Sequence, residues 1–409
     1  MAPEHRPVLL LNPPCRRPVL RDYYCSTFPK ASYYWQPIDL LSAAAILKDQ
    51  AEIMLIDAVA RRLTAGQVAE IVADHDPRAI FCLVSTLTRE SDLALVRGLA
   101  SPGRKIVLGG EAALDPDFDF ERFDFVDGLL LDFTDAPAVE FLVGAAPAGR
   151  LRAPDHEPAP PRVNQSYSVG MMPHHLLAGG TYRLPLWRGG FSTLLTDFGC
   201  PWDCSFCNSG RRILGYKWRD MAEVAGEARL LRQGGAEKVF LKDMTFGADP
   251  SRAKEILSLL APYKFKLRGY LRADLVTPDC ARRLKQAGFE LAQIGVESPR
   301  ADVRKDLQKN ISDPVVAGAF KILRQEGIAA GAHFIVGFAA DRPGAVAACV
   351  RQARSLGAAY CSVNVYQPRL GTVPLPAVSD RRKKLLSLRA AAGMACYNLP
   401  SYLRFLIRS

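Results

Sequence analysis

Two series of short apolar runs alternating with amphipathic stretches organise this chain, with a proline-rich gap between them. In the first series, residues 7–12, 52–57, 79–84 and 105–108 are β-prone apolar runs, and 126–131 gives a short fifth strand. Apolar runs of this length bounded by turn residues read as strands. Between them, 38–48 places Leu40, Leu41, Ala44 and Leu47 on one helical face. Residues 65–73, 90–99 and the stretch after Asp135 also read as helices. This alternation predicts an α/β doubly wound parallel sheet, with ligands at the carboxyl ends of its strands. The second series has strands at 191–196, 238–241, 267–271, 291–296, 332–336 and 360–366. Its helices are 221–233, 252–260, 278–287, 314–325 and 343–356. Six such units predict a partial (β/α)6 barrel of TIM type, with the active site built at strand carboxyl ends. Residues 144–162 carry Pro147, Pro154, Pro158, Pro160 and Pro161 and read as a stiff connector. The expected division is a domain at 1–145, a connector at 146–190, a barrel at 191–375 and a helical tail at 376–409.

One loop stands out chemically. Cys200-Pro-Trp-Asp-Cys204-Ser-Phe-Cys207 follows the first strand of the second series, with Asp197-Phe-Gly199 read as the break between them. Three thiolates on one loop can hold three irons of a [4Fe–4S] cluster and leave the fourth iron open to a small molecule. Structural zinc is the rival, but it takes four ligands, and no second C-x-x-C pair exists; His174 and His175 are the imidazoles near in sequence. A disulfide is disfavoured, because the first residues lead into a strand and show no secretory pattern. The remaining cysteines are scattered and read as small buried hydrophobes.

The cysteine loop resembles the signature of radical S-adenosylmethionine (SAM) enzymes, including the aromatic Phe206 before its last cysteine. The resemblance implies that Cys200, Cys204 and Cys207 bind a [4Fe–4S] cluster. The cluster's open iron would chelate SAM, which one electron cleaves to a 5′-deoxyadenosyl radical. Later strand ends are similar to the family as well: Lys242-Asp243, Arg272-Ala-Asp274, Gln293-Ile-Gly-Val-Glu297-Ser298, His333-Phe-Ile-Val-Gly337 and Tyr366-Gln-Pro-Arg-Leu-Gly371-Thr372. By that likeness Phe206, Asp243, Arg272, Glu297, Lys309 and Gly337 are the expected SAM contacts. His333 reads as an acid or base facing the barrel or as a satisfied core histidine.

The first half resembles the Rossmann- or flavodoxin-like cobalamin-binding domain found before many radical SAM domains. The likeness rests on Leu11-Asn-Pro-Pro14, the strand ending at Asp57, Ser85-Thr86 and Val107-Leu-Gly-Gly110. Ser85, Thr86, Gly109 and Gly110 are the cobalamin contacts it implies. Two features depart from that pattern. No Asp-x-His-x-x-Gly motif is present, and His75 is the only histidine between residues 6 and 150. Asp127-Gly-Leu-Leu-Leu-Asp132 also stands where relatives carry another turn. The aromatic stretch 23–37 follows the first strand and reads either as a cover for the ligand edge or as a packed surface loop.

Apolar content of 49% against 23% charged describes a globular chain large enough for two cores. A net charge of +11 admits anionic partners, but the basic residues are dispersed and no nucleic-acid module is visible. The tail from 380 is helical, basic at first and then apolar, which suits packing over the barrel or contact with a membrane surface. Taken with the resemblance, the expected protein is a cytoplasmic, cobalamin-dependent radical SAM enzyme. It would methylate an unactivated carbon of a natural-product, lipid or tetrapyrrole substrate and draw electrons from a flavodoxin or ferredoxin. A radical SAM cyclisation, rearrangement or oxidation uses the same parts. A metal-binding interaction protein is the alternative of another class.

Overall fold

The computed structural model describes residues 6–21, 26–29, 34–144, 149–177, 182–184, 187–368, 372 and 375–407. The chain separates into two units, residues 1–193 with 213–231, and 194–212 with 232–409.

The first unit holds a six-stranded sheet in the order Ile53–Asp57, Val8–Asn12, Ala79–Leu83, Lys105–Gly109, Gly128–Leu130, Leu151–Arg152. All pairings are parallel except the last. Strands Val8–Asn12 and Ala79–Leu83 are buried throughout, as expected for a sheet covered on both faces. Helix Ile38–Leu47 is buried almost all round, so its apolar face is only part of what packs. Helix Ala65–His75 starts from a capping box made by Thr64 and Gln67. The strand order turns back between Val8–Asn12 and Ala79–Leu83, which is the switch point where such sheets place ligands. That crevice is braced by charge. Arg21 donates to Asp92 at 2.6 and 3.1 Å and to Asn12 Oδ1 at 3.1 Å, and the Arg21 and Asp92 side chains are fully buried.

The proline-rich segment is more than a connector. Leu151–Arg152 adds antiparallel to Gly128–Leu130, and Val163–Tyr167 pairs in parallel with Tyr216–Arg219. Pro154, Pro158, Pro160 and Pro161 fall between these two strands, where no ladder N–H is required of them. Pro147 lies outside the described residues. Helix Met221–Gln233, expected in the barrel, belongs to the first unit over residues 213–231. Its inner face explains why. Glu227 accepts from Arg219 Nη2, from the Met172 N–H at 2.9 Å, and sits 3.0 Å from His174 Nε2. His174 is therefore held in this network, with only its rim exposed. Lys217 donates to Asp132 at 2.7 Å, with both side chains fully buried.

The second unit is built on a parallel sheet ordered Tyr360–Val365, Ala329–Val336, Phe289–Glu297, Lys266–Leu271, Lys238–Leu241, Ser192–Leu194. Helices Pro250–Leu260, Pro278–Ala287, Asp313–Gln325 and Ala345–Leu356 connect these strands in sequence. Asp249 and Thr277 cap two of them, each ahead of a proline at the first turn. Two short elements escape the periodicity. Asp197–Gly199 is a buried strand, not a break, and Ala301–Asp306 is an extra helix. A long helix, Asp380–Ile407, closes the chain as described. Among the described residues no helix is long and apolar enough to cross a membrane.

Burial by itself would raise the Glu227 carboxyl, but Arg219 and His174 outweigh it and hold it at about 2, against an ordinary 4.5. A depressed folded-state value stabilises fully above the unfolded value and is lost as pH falls through the folded one. This carboxylate should thus contribute roughly 3 kcal/mol above pH ~4.5 that disappears towards pH ~2. Glu227→Gln should flatten that part of the acid-unfolding profile, read by circular dichroism.

Candidate active site

In the second unit the strand carboxyl ends gather the expected residues around the cysteine loop. Three contacts fix the loop. The Ser205 N–H donates to Leu307 O at 3.1 Å. Phe206 packs against the cluster formed by Val303, Leu307, Phe338 and Tyr366. The Ser209 N–H reaches Cys207 Sγ at 3.4 Å. Phe206 is therefore the loop's apolar anchor in this structure.

The three thiols sit close enough to influence one another, and the Lys309 charge acts on all three. Burial pushes each thiol above the usual range, while Lys309 works in the opposite direction. Arg272 Nη1 lies 3.8 Å from Cys204 Sγ, and its guanidinium stacks 4.2 Å from the centre of the Trp202 ring. Three thiols facing two fixed cations suit an anionic thiolate-bound group. Among the described residues no three Cys, His, Asp or Glu side chains converge on one ion-sized point. A four-iron cluster does not ask for that, since each thiolate binds a different iron.

The cations are themselves held in place. Lys309 Nζ donates to Glu297 Oε1 at 2.9 Å, and both side chains are about nine-tenths buried. Burial would lower the lysine, but the Glu297 carboxylate together with Cys204 outweighs it and holds its value up. Arg272 makes a two-point pair with Asp274 at 3.1 and 3.0 Å and donates to Lys309 O at 3.3 Å. Glu297 adopts a positive φ of 67°, a strained backbone for a side-chain-bearing residue. Gly295 makes room for the pair: a Cβ there would lie 2.3 Å from Glu297 Oε1 and 3.1 Å from Lys309 Nζ.

Asp243 lies at the root of the loop. Its carboxylate accepts the Thr196 N–H at 2.7 Å, the Asp197 N–H at 3.1 Å and the Thr196 hydroxyl. Burial, then the neighbouring Asp197 carboxylate, pushes its carboxyl well above the usual range. Asp197 in turn binds Arg252 at 2.7 Å. Gly337 has φ of 105°, and its N–H donates to Asp341.

The structure adds residues that pattern did not supply. Arg304, fully buried, donates to Ile311 O at 2.8 Å and Ser298 O at 2.6 Å, tying together the segment that carries Lys309. A lone arginine in a short helix gives no sequence signal of this. Trp202 was visible inside the cysteine loop, and its place beneath an arginine was not. His333 Nε2 is 2.6 Å from Tyr360 Oη, and Tyr360 crosses the strand over Gly331, where a Cβ would meet its ring at 2.2 Å. Residues 369–371 of the last expected family motif lie outside the described residues.

The expected cobalamin contacts fall at the carboxyl ends of strands Ala79–Leu83 and Lys105–Gly109 in the first unit. Each has a local explanation. The Ser85 N–H donates to Asp92 at 3.2 Å, and Thr86 donates to Glu111 at 3.0 Å. A Cβ at Gly109 would strike the Phe81 ring at 2.4 Å, and Gly110, with φ of 87°, lies against Val84 O. His75 is exposed and bound to its own helix through Ile71 O. Tyr182 donates to Asp57 at 2.8 Å, beside a cavity of about 240 Å³ that His175 and Arg61 also line. Of the aromatic stretch, Trp35 packs edge-on against Phe191 at 5.5 Å, and residues 22–25 and 30–33 lie outside the described residues.

Residues 196–341 match the model of the radical SAM superfamily, a span that contains the cysteine loop, Asp243, Arg272, Glu297, Lys309 and Gly337. The chain thus carries a radical SAM domain, and the protein is a radical SAM enzyme. It is 23% identical over 360 residues to an uncharacterized methyltransferase of Pyrococcus horikoshii, covering 82% of this chain and 77% of that one. It is 26% identical over 241 residues to a 2-(S-pantetheinyl)-carbapenam-3-carboxylate methyltransferase of Streptantibioticus cattleyicolor. That match covers 52% of this chain and only 32% of the relative. The fold is similar to that of the radical SAM methyltransferase TsrM from Kitasatospora setae, solved with cobalamin and a [4Fe–4S] cluster bound. The TM-score is 0.66 at 19% identity, over 88% of this chain and 72% of that one.

Asp243→Ala would leave three buried donors without an acceptor, and chemical denaturation should register a loss of about 2–4 kcal/mol. Asp243→Asn keeps an oxygen for both N–H groups and removes a charge facing Asp197, so it should stay within about 1 kcal/mol of the parent.

Proposed function

We propose that the protein is a cobalamin-dependent radical SAM methyltransferase acting on an unactivated carbon of a small, apolar natural-product, lipid or tetrapyrrole substrate in the cytoplasm. The observation that carries this is the buried Lys309–Arg272 cation pair facing the three thiols of a radical SAM loop. The two methyltransferase relatives and the TsrM fold favour methylation. In this reading, residues 1–145 form the cobalamin domain and 191–375 the radical SAM barrel, apart from residues 213–231, which pack in the first unit.

The cluster with SAM supplies one-electron cleavage, and cobalamin a cobalt that carries a methyl group. The chain's own residues supply position and charge. Cys200, Cys204 and Cys207 hold three irons. Lys309, charged beside Glu297, would hold the SAM carboxylate, and Arg272 would balance the thiolates' charge. Phe206 and Gly337 shape the apolar side of the SAM site, while Asp243 sets the root of the loop. A flavodoxin or ferredoxin delivers the electron.

A second reading follows from the first unit. Ser85, Thr86, Gly109 and Gly110 have internal partners or packing reasons, and the switch-point crevice is braced by Arg21 and Asp92. This favours a scaffold without cobalamin joined to the same radical SAM chemistry. Protein made in cobalamin-replete cells separates the two. Bound cobalamin in its absorbance supports the first, and its absence with intact SAM cleavage supports the second.

Anaerobic reconstitution with iron and sulfide should give about four irons per chain. With SAM and a reductant the protein should form 5′-deoxyadenosine. Cys200→Ala should lose both iron and product, and retention of either would remove the cluster assignment. Gly295→Ala should push Glu297 away from Lys309 and weaken SAM binding about tenfold, or ~1.4 kcal/mol, while iron content stays at the parent level. Equilibrium dialysis with SAM checks it.

A further inference from the structure

Over residues 380–400, the last helix buries one side and leaves the opposite side bare. Its inner side holds Leu386 and Ala390. Tyr397 donates to Ala353 O at 3.2 Å and Ala358 O at 2.7 Å. The Asn398 side chain bonds both backbone groups of Cys361, each at 2.9 Å. These contacts fix which way the helix faces. At about 100° per residue, Leu385, Leu388, Ala392, Ala395, Cys396 and Leu399 fall within one arc of roughly 100°, centred opposite that inner side. Leu385 is 46%, Leu388 71% and Leu399 55% exposed. These are three of the six large hydrophobic residues exposed among the described ones, gathered on one helix face.

After Asp380, which pairs with Lys383, every charge on this helix is positive. Arg381, Arg382, Lys384 and Arg389 are all exposed. By the same helical geometry, Lys384 borders one edge of the apolar arc, Arg382 and Arg389 border the other, and Arg381 stands in line with it at its N-terminal end. From Arg381 to Ser409 the sequence holds no aspartate or glutamate. A stripe of leucines bordered by cations with no acid among them is the composition of a helix lying in a bilayer interface.

We propose that this face binds an anionic lipid surface, with the leucines entering the headgroup–acyl boundary and the flanking cations on the headgroups. The alternative of a second copy fits less well. The face is a single convex ridge roughly 22 Å long. One such ridge offers a few hundred Å², whereas a stable dimer buries above about 1,000 Å² in total. An interface needs only a ridge that enters about 5–10 Å, and anionic headgroups complement the cations. The proposal rests on this surface alone and stands whether or not cobalamin is bound.

Flotation of the full-length protein with phosphatidylcholine vesicles, with and without phosphatidylglycerol, tests it. The protein should float with the anionic vesicles at low salt and be released at high salt. Leu388→Glu with Leu399→Glu should weaken that binding at least about tenfold, with an unchanged thermal melt. Arg381→Gln, Arg382→Gln and Lys384→Gln together should abolish the preference for phosphatidylglycerol. Failure of the parent protein to float with anionic vesicles would overturn the proposal, as would undiminished binding by the double glutamate variant. A concentration-dependent dimer in sedimentation, dissociated by the same two glutamates, would assign the face to a second copy instead.

Discussion

Three thiols and two cations buried together set the terms for the second unit. Taking either cation out of water alone costs several kcal/mol, and the Glu297 and Asp274 carboxylates compensate them. Lys309 needs Glu297, which sits nine-tenths buried at a positive φ, and Gly295 must lack a side chain so that the pair can close. Arg272 needs Asp274 and the Trp202 face. Arg304, fully buried, holds the backbone on which Lys309 stands. Each of these residues is explained by the previous one, and the chain of reasons begins at the cysteine loop.

The same logic is used in the first unit for a different purpose. Arg219, Glu227 and His174 lock a helix to a segment far from it in sequence, and Lys217 with Asp132 repeats the device. Arg21 and Asp92 brace the crevice where strand order turns back. These networks are satisfied at nearly every polar atom, which is the condition under which buried charge is tolerated. Of the small residues that a ligand-centred reading assigns to cofactor approach, Ser85 belongs to the Asp92 network, while Gly109 and Gly110 are set by the Phe81 ring and Val84 O.

Most of the secondary structure was legible because parallel strands buried on both faces must be apolar runs, and the helices between them must be amphipathic. The cysteine loop was legible because metal chemistry leaves few alternatives to its spacing. The strand Asp197–Gly199 was not, since the partners that hold it, Asp243 among them, are distant in sequence. The connector's strands were hidden by prolines that turn out to sit between them. The helix Met221–Gln233 has the pattern of a barrel helix and goes elsewhere, because Glu227 finds Arg219 and His174 there.

What the sequence determined by itself was periodicity, the thiol triad and the residues at each strand end. These are local properties, written in spacing and residue type. The tertiary structure decided which charges meet. It paired Lys309 with Glu297, stacked Arg272 on Trp202, set His333 on Tyr360, and turned one apolar stripe of the last helix outward. Partner choice among charged groups depends on distance and burial in three dimensions, and one chain read in order contains neither.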